Sequence, residues 1–323
     1  MKKQLLILGM ALLVTCGLFA QENQEFKPSG KLDGRIFANF NTQVGAEGMN
    51  PSAFELERAY FGYTYKMAPD FSARVLLDIG DGGEAGINRY AFFKNAAIFY
   101  TKDALKVGFG IQGTFSMKYQ EKVWGRRYVF KSYQDFNKFS NTADLGVSAE
   151  YATDYFAFDL AIFNGEGYKV IQEESSNNYK TSIGATAKLL DEALILRAVD
   201  EYIEKDSVAQ NSIALFAGYV ADVFSLGFEY NMQSNFKFGD GDDRSGISAY
   251  GSYDINDKFA VFGRYDMLNA SSSPGNEYSL LIAGVEYKLL KNLKAAVNIK
   301  NFDPKTSGVD SRTFAFLNLE ARF

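Results

Sequence analysis

The stretch Phe224-Ser225-Leu226-Gly227-Phe228-Glu229-Tyr230-Asn231-Met232-Gln233 alternates apolar residues with polar or small ones without a break. A two-residue period places every apolar side chain on one face of a β-strand and every polar one on the other. In a helix the same charges would be spread around all sides. The stretch is also longer than the five or six residues that are usual for strands in soluble sheets. It therefore predicts a long strand with an apolar face and a wet face.

The same alternation recurs along the chain, for example in 71–79, 105–112 and 143–151. Alternation over about 10 residues is typical of strands that cross a bilayer in a closed barrel, with lipid on one face and water on the other. We predict sixteen strands, near 30–42, 54–66, 71–81, 91–101, 104–115, 141–152, 155–164, 178–189, 193–204, 211–221, 223–236, 245–255, 258–269, 277–289, 292–303 and 312–323. The alternation is weakest in the fourth strand and at the start of the second.

The connections between these strands follow a rhythm of short and long. Seven short polar breaks suit tight hairpins; they lie at 67–70, 101–104, 152–155, 189–193, 220–223, 255–258 and 289–292. Eight longer segments separate them, at 43–53, 81–90, 116–140, 165–177, 205–210, 237–244, 270–276 and 304–311. This rhythm predicts an all-β, transmembrane antiparallel barrel with both termini in the periplasm and a long third extracellular loop, 116–140.

The two ends of the chain predict export to the outer membrane. Lys2 and Lys3 precede an apolar run that ends at a small-residue cleavage site before Gln21, which predicts a cleaved signal peptide over 1–20. A membrane anchor and a lipoprotein acylated at Cys16 are the alternatives. We expect a short periplasmic segment over 21–29 and the barrel over 30–323.

The last strand has an apolar face that ends at the final residue of the sequence. Its members are Thr313, Ala315, Leu317, Leu319, Ala321 and Phe323. A last strand that ends in Phe resembles the signal through which the barrel-assembly machinery takes up outer-membrane barrels. We therefore expect that machinery to be a partner of this chain.

Composition excludes several classes of function. The chain has no histidine, which removes Ser-His-Asp and Cys-His catalysis and histidine zinc sites. Its net charge of −5 is not that of a nucleic-acid binder. Asp240, Asp242 and Asp243 could hold calcium, but no twelve-residue ligand pattern surrounds them and a solvated acidic loop is the favoured interpretation. We predict no enzyme activity, no cofactor and no metal.

Residues near the amino end carry a resemblance to a known family. Gly34-Arg35-Ile36-Phe37 and the stretch 54–62, which continues through 65–66 into 70–75 and Asp78, resemble the phosphate-selective porins (the porin O/P group) of Gram-negative bacteria. The resemblance implies a sixteen-stranded homotrimer for passive diffusion of small hydrophilic solutes, with a preference for phosphate-like anions. Relatives typically carry an arginine run in the second strand, whereas here the acidic Glu57 precedes Arg58.

The loop 116–140 is the candidate site, because in the porins that the chain resembles the third loop narrows the lumen. It is rich in basic residues, namely Lys118, Lys122, Arg126, Arg127, Lys131 and Lys138, and in aromatic residues that could pack it against the wall. We expect Arg126 and Arg127 to contact an anion, since a guanidinium fork matches phosphate or carboxylate. The alternative is a solvated surface loop whose cations contact lipopolysaccharide.

The strands add basic residues to the predicted lumen wall, among them Arg35, Arg74, Lys106 and Arg264. Acidic residues lie on the same faces, so the wall carries both signs of charge. The expected partners are small anionic or neutral solutes, outer-membrane lipid and lipopolysaccharide. A structural or adhesive surface barrel with a blocked lumen is the alternative function.

Overall fold

The computed structural model describes residues 26–45, 50–81, 88–171, 178–270 and 276–323. Each strand pairs antiparallel with its neighbours in sequence, and the last strand pairs with the first to close a barrel. The strands are β1 (Ser29–Val44), β2 (Ser52–Lys66), β3 (Phe71–Asp81), β4 (Arg89–Lys102), β5 (Leu105–Gly113), β6 (Ala143–Ala152), β7 (Phe156–Phe163), β8 (Lys180–Leu189), β9 (Leu194–Lys205), β10 (Val208–Val220), β11 (Phe224–Ser234), β12 (Arg244–Asp254), β13 (Phe259–Ala270), β14 (Tyr278–Leu290), β15 (Leu293–Pro304) and β16 (Arg312–Arg322). The predicted sixteen-stranded antiparallel barrel is confirmed.

Helices are few and short. Two lie between β5 and β6, α1 (Lys118–Trp124) and α2 (Tyr133–Asn137), and a 3-10 turn spans Phe236–Phe238. Among the described residues, no helix is long and apolar enough to cross a membrane. The predicted signal peptide, 1–20, and most of the segment 21–29 lie outside the described residues, so their assignment stays a prediction.

The two faces of the sheet differ as the alternation predicts. Leu160, Phe109 and Val297 point outward and are 52%, 61% and 62% exposed in the isolated barrel. Their inward neighbours include Asp159 and Asn298, which are almost fully buried. A continuous apolar outer surface is unfavourable in water and favourable in lipid. The outer face therefore fits contact with hydrocarbon, and the inner face carries the polar groups.

One long connection is corrected by the structure. The segment 205–210 was expected to be a longer loop, but Lys205 pairs directly with Val208. Only Asp206 and Ser207 form the turn, with φ values of 49° and 67°. Positive φ at both central residues is the geometry of a type I′ hairpin, which matches the twist of the flanking strands. The segment is polar, as longer loops are, but it forms a tight turn.

Two neighbouring regions of the barrel contain β-bulges. In β2, Leu56 and Arg58 pair with consecutive residues of β1, so Glu57 is an extra, unpaired residue. In β4, Phe93 and Asn95 pair with consecutive residues of β3, so Lys94 is extra. A bulge bends its strand and re-aims the side chain of the extra residue. These are the strands in which the sequence alternates poorly.

The barrel closes at the carboxyl end of the sequence. The backbone groups of Gly34 and Phe323 exchange two hydrogen bonds of 2.8 and 3.1 Å. The Phe323 ring lies over Gly34, where a Cβ atom would overlap the ring. Glycine therefore allows the final aromatic residue to seat against β1.

Candidate constriction of the lumen

The connection between β5 and β6, residues 114–142, lies inside the barrel and is called the constriction loop below. Its apolar side chains form a buried cluster with inward-facing residues of β9, β10 and β12–β15, together with Phe37 of β1 and Tyr60 of β2. The cluster includes Tyr119, Val123, Trp124, Tyr128, Val129, Tyr133 and Phe139 from the loop and Phe37, Ile195, Phe216, Tyr250, Phe262, Leu268, Tyr278, Leu280 and Ile282 from the wall. Burying this apolar surface holds the loop in the lumen.

Trp124 is the largest side chain in this cluster and is 2% exposed. Its ring lies 5.6 Å from that of Tyr250 and 6.1 Å from that of Phe262, both edge-on. Its Nε1 donates a 2.8 Å hydrogen bond to the carbonyl of Phe130. The indole thus fixes α1 against the wall and the loop against itself.

Cationic side chains of the wall hold the backbone of the loop. Arg264 Nη1 donates to the Lys131 carbonyl at 2.7 Å, and Lys300 Nζ donates to the Val129 carbonyl at 2.6 Å. Arg197, Arg244 and Tyr133 add further links between loop and wall. Each bond from a wall cation satisfies a carbonyl that the loop's irregular backbone would leave without a partner, whereas Tyr133 donates from the loop to the Met267 carbonyl of the wall. The loop is therefore anchored by polar contacts as well as by apolar ones.

Arg126 lies between the loop and this wall. It is 7% exposed, its Nη2 is 3.6 Å from Glu286 Oε1, and its guanidinium stacks over the Phe262 ring. Glu286 also accepts a 2.7 Å hydrogen bond from Tyr128 and pairs with Lys294. The geometry makes Arg126 part of the anchor. Its role as an anion-binding residue stays a prediction.

Arg127 lies on the other side of the loop, between two carboxylates. Its Nη1 is 2.9 Å from Glu121 and 2.8 Å from Asp135. Burial favours the neutral form of Asp135, but the charges of Arg127 and Lys131 outweigh it and lower the pKa of Asp135 below its usual value. The three side chains hold α1 next to α2. Their summed charge is not positive, because one guanidinium lies between two carboxylates.

The other predicted basic residues of the loop have different surroundings. Lys118 pairs with Glu150 of β6 and lies over the Tyr119 ring. Lys122 is exposed, and Lys131 is half-buried. The basic surplus of the loop is thus partly neutralised, with Lys122 and Lys131 left without a carboxylate within 4.0 Å among the described residues.

The four predicted wall residues are distributed around the lumen. Arg74 forms a two-pronged pair with Asp33 at 2.8 and 3.0 Å, and Arg264 pairs with Asp266 at 2.7 Å. Lys106 Nζ lies 4.7 Å from the centre of the Phe99 ring. Arg35 is exposed. Of the four, Arg264 contacts the constriction loop directly.

On the side of the loop that carries Arg127, strands β2–β4 present a second charged group, called the facing cluster below. Arg58 lies 3.3 Å from Asp78, which also accepts a 2.5 Å hydrogen bond from Tyr168 in the connection after β7. Lys94 lies over the rings of Tyr60 and Tyr168, 5.3 and 5.4 Å from their centres. Arg127, Glu121 and Asp135 of the loop are among the charges that act on Lys94. The clamped side of the loop therefore lies next to this cluster, with Arg127 beside the Tyr60 hydroxyl.

No protein-family model and no curated protein matches the sequence. Solved structures do match. The chain has the fold of outer-membrane porins and channels. At identities of 10–15% the likeness is one of fold, and membership of the phosphate-selective porin family stays a prediction.

Three of these structures cover nearly the whole barrel. An OmpT variant of Vibrio cholerae, an outer membrane protein with loop L8 deleted, has a TM-score of 0.67 and 15% identity, covering 92% of this chain and 99% of that one. The outer membrane channel DcaP of Acinetobacter baumannii has a TM-score of 0.68 and 10% identity, covering 94% and 100%. An anion-selective porin from Comamonas acidovorans has a TM-score of 0.68 and 11% identity, covering 92% and 100%.

The facing cluster was not predicted from the sequence, although a signal was present. Lys94 and Glu57 break the alternation of β4 and β2, and a break within a strand indicates a bulge. Tyr168 lies in the connection after β7, outside the strands, so no alternation of polar and apolar residues predicts the direction of its side chain. Its contact with Asp78 joins positions 90 residues apart, so the sequence offers no direct signal for it.

The acidic residues of the loop before β12 take part in hydrogen bonds within that loop. In the part of the chain that the structure describes, no group of three or more His, Cys, Asp or Glu side chains is arranged to hold a metal ion. In the acidic loop, Asp243 accepts a hydrogen bond from the Asn235 amide, and the Asn235 side chain accepts one from the Gly241 amide. These contacts give the loop a turn-forming role.

Proposed function

We propose that this chain is an outer-membrane porin through which small hydrophilic solutes diffuse passively, with a preference for anions. The observation that carries the proposal is a loop folded into a closed barrel, with its charged side facing a second charged group on the wall. Such an arrangement narrows a water-filled lumen and sets an electrostatic barrier for one sign of ion. No enzyme activity is part of the proposal.

The preference for anions is supported by cations that lack acidic partners. Arg35, Lys94, Lys106, Lys122 and Lys131 have no carboxylate within 4.0 Å among the described residues, and all five lie on the lumen face or on the constriction loop. Most acidic groups of the lumen wall are paired, as in Asp33 with Arg74 and Asp159 with Arg197. Unpaired cations in a narrow lumen raise the local concentration of anions. Phosphate-like solutes fit this field, and neutral solutes would pass without its help.

We further propose that the porin is a homotrimer in the outer membrane. The apolar outer face supports contact with lipid, and a trimeric form of OmpT of Vibrio cholerae shares the fold. Lipopolysaccharide and the barrel-assembly machinery, the latter acting through the strand that ends at Phe323, complete the expected partners. Chemical cross-linking of the detergent-extracted protein should give a trimer as its largest species. A monomer at all cross-linker concentrations would contradict this part.

Planar-bilayer recording of the purified chain tests the proposed function. We expect stepwise conductance, and a reversal potential in a potassium chloride gradient whose sign shows that chloride is more permeant than potassium. Added phosphate should reduce the chloride current, whereas a neutral sugar of similar size should reduce it less. Correctly folded protein that forms no channel would support the alternative, a structural or adhesive barrel with a blocked lumen.

A further inference from the structure

The β-bulges of β2 and β4 place one acidic and one basic side chain in the same part of the lumen. Glu57 is the extra residue of β2, and Lys94 is the extra residue of β4. Arg127 of the constriction loop is among the charges that act on both of them. Without its bulge, each strand would continue its two-residue alternation, and the residue at this position would have a different direction. The bulges therefore set the charges that a solute meets at the constriction.

Lys94 is the cation of this region that has no acidic partner. Arg58 is paired with Asp78, and Arg127 is paired with Glu121 and Asp135. Lys94 instead lies half-buried over two aromatic rings, those of Tyr60 and Tyr168, with no carboxylate within 4.0 Å among the described residues. Aromatic faces stabilise an ammonium group but leave its N–H donors available. The three donors of Lys94 can therefore turn to a passing anion.

Tyr60 supplies a second donor beside Lys94. The residue is 8% exposed. Its hydroxyl oxygen interacts with the Arg127 guanidinium, but its proton has no acceptor among the described residues. A buried hydroxyl proton without an acceptor is unfavourable, so the hydroxyl favours any acceptor that reaches it. An oxyanion bound by Lys94, which lies over the Tyr60 ring, would bring that acceptor.

Glu57 opposes the binding of an anion in this region. Its carboxylate is half-buried and lies within electrostatic range of Lys300, Arg127, Arg58 and Lys131. It has no ion pair within 4.0 Å among the described residues, so it acts on the whole group at longer range. A negative charge at this place reduces the positive potential that an anion meets.

We propose that Lys94 and Tyr60 form a binding site for small oxyanions, of the phosphate or carboxylate class, at the constriction, and that Glu57 limits its affinity. This inference rests on the porin function proposed above. The ammonium group contributes charge and charge-assisted hydrogen bonds, and the hydroxyl contributes one neutral hydrogen bond. The site would retain an oxyanion briefly while the field of Glu57 allows its release.

The test compares variants in planar bilayers, with inorganic phosphate as the probe and potassium chloride as the carrier. Lys94→Gln should weaken the block of chloride current by phosphate about tenfold, since it removes a charged donor. It should also lower the ratio of anion to cation permeability. Lys94→Arg, which keeps the charge, should retain both properties. Glu57→Gln should change both in the opposite direction, with tighter block and stronger anion preference.

Two further variants separate a site from a general effect of charge. Tyr60→Phe should weaken the phosphate block but leave the reversal potential in potassium chloride unchanged, because it removes a hydrogen bond and no charge. Lys106→Gln, the matched loss of an unpaired lumen cation outside the cluster, should leave the phosphate block within about twofold of wild type. Heat-modifiable migration of each variant in detergent gels would confirm that the barrel has folded.

The outcomes distinguish the two proposals. If the wild-type channel prefers anions but folded Lys94→Gln is blocked by phosphate as strongly as wild type, the binding site is wrong and the porin remains. An equal weakening of the phosphate block in Lys94→Gln and Lys106→Gln would also contradict the binding site, because the effect would then depend only on the total charge of the lumen. A folded wild-type barrel without conductance would overturn the proposed function itself.

Discussion

At the level of single residues, Arg127 connects the fold to the proposed selectivity. It neutralises Glu121 and Asp135, which would otherwise put two negative charges on the side of the loop that faces β2–β4. Arg126, its neighbour in sequence, points the other way and helps to anchor the loop through Glu286. Two adjacent arginines of identical chemistry thus have different surroundings.

Arg127→Gln should shift the channel toward cations. The substitution leaves the carboxylates of Glu121 and Asp135 uncompensated, so the ratio of anion to cation permeability should fall roughly threefold or more. The reversal potential in a salt gradient measures this ratio. Arg127→Lys keeps the charge and serves as the control. Equal permeability ratios in wild type and Arg127→Gln would show that this side of the loop does not border the ion path.

The Asp135 carboxylate predicts how the loop responds to acid. Its pKa in the folded protein lies below its usual 3.8, because Arg127 and Lys131 outweigh the effect of burial. The stabilisation is therefore complete above the unfolded-state pKa and is lost as pH falls through the lower folded-state value. The loop should keep its protection from hydrogen exchange down to about pH 4.

The control for this prediction is again Arg127→Gln. Burial then acts on Asp135 with less opposition, so its pKa should rise and the loop should lose protection at a higher pH than in wild type. Hydrogen exchange of residues 116–140, followed by mass spectrometry over a pH series, provides the comparison. Identical pH profiles would contradict the assigned role of the Arg127–Asp135 pair.

At the level of secondary-structure elements, the constriction loop is held by its aromatic residues. Trp124→Ala should destabilise the folded barrel by about 3–5 kcal/mol, because it leaves a cavity between Tyr250 and Phe262. Denaturant unfolding in lipid vesicles measures the change. We also expect noisier single-channel currents as the loop becomes mobile. Tyr155→Ala, at an exposed aromatic residue in a hairpin turn, is the control and should change stability little.

The strands could be predicted from the sequence because their two faces meet different solvents. β11 and β16 show this most clearly, since lipid requires one parity of residues to be apolar and the lumen allows the other to be polar. The prediction was wrong at 205–210, because turn residues with positive φ look like any short polar segment. The length and aromatic content of the constriction loop were also visible in the sequence.

The contacts of the site could not be predicted in the same way. Arg126 meets Glu286 only because the loop crosses the lumen, and the two residues are 160 positions apart in sequence. Which basic residues are paired depends on such contacts and not on local pattern. The sequence therefore gives the correct number of basic residues in 116–140, but it overstates how many of them lack an acidic partner.

At the level of the whole molecule, the barrel is stable only if its outer face meets lipid. Leu160 lies in the middle of β7, is 52% exposed and points outward. Leu160→Arg should destabilise the barrel in lipid vesicles by about 2–4 kcal/mol, the cost of a guanidinium near the bilayer midplane. Unfolding by denaturant in vesicles measures this cost.

Val309→Arg is the matched control for the lipid-facing substitution. Val309 is similarly exposed but lies in the connection between β15 and β16, outside the strands. The same change of side chain should there alter stability by less than about 0.5 kcal/mol. Equal effects at the two positions would contradict the placement of Leu160 against hydrocarbon.

The attachment of the constriction loop to one side of the barrel has a consequence for how such a protein can change. If the proposed function holds, a solute would pass the loop beside the facing cluster of β2–β4, away from most of the aromatic residues on β9–β15. The strands that pack against the aromatic residues of the loop would thus contribute to stability, while β2–β4 would contact the solute. Substitutions on the inner face of β2–β4 could then change solute selectivity with little effect on the stability of the barrel. Glu57 and Lys94 are half-buried extra residues of their strands that lie outside the apolar cluster, so they are positions at which selectivity could be changed with little loss of stability.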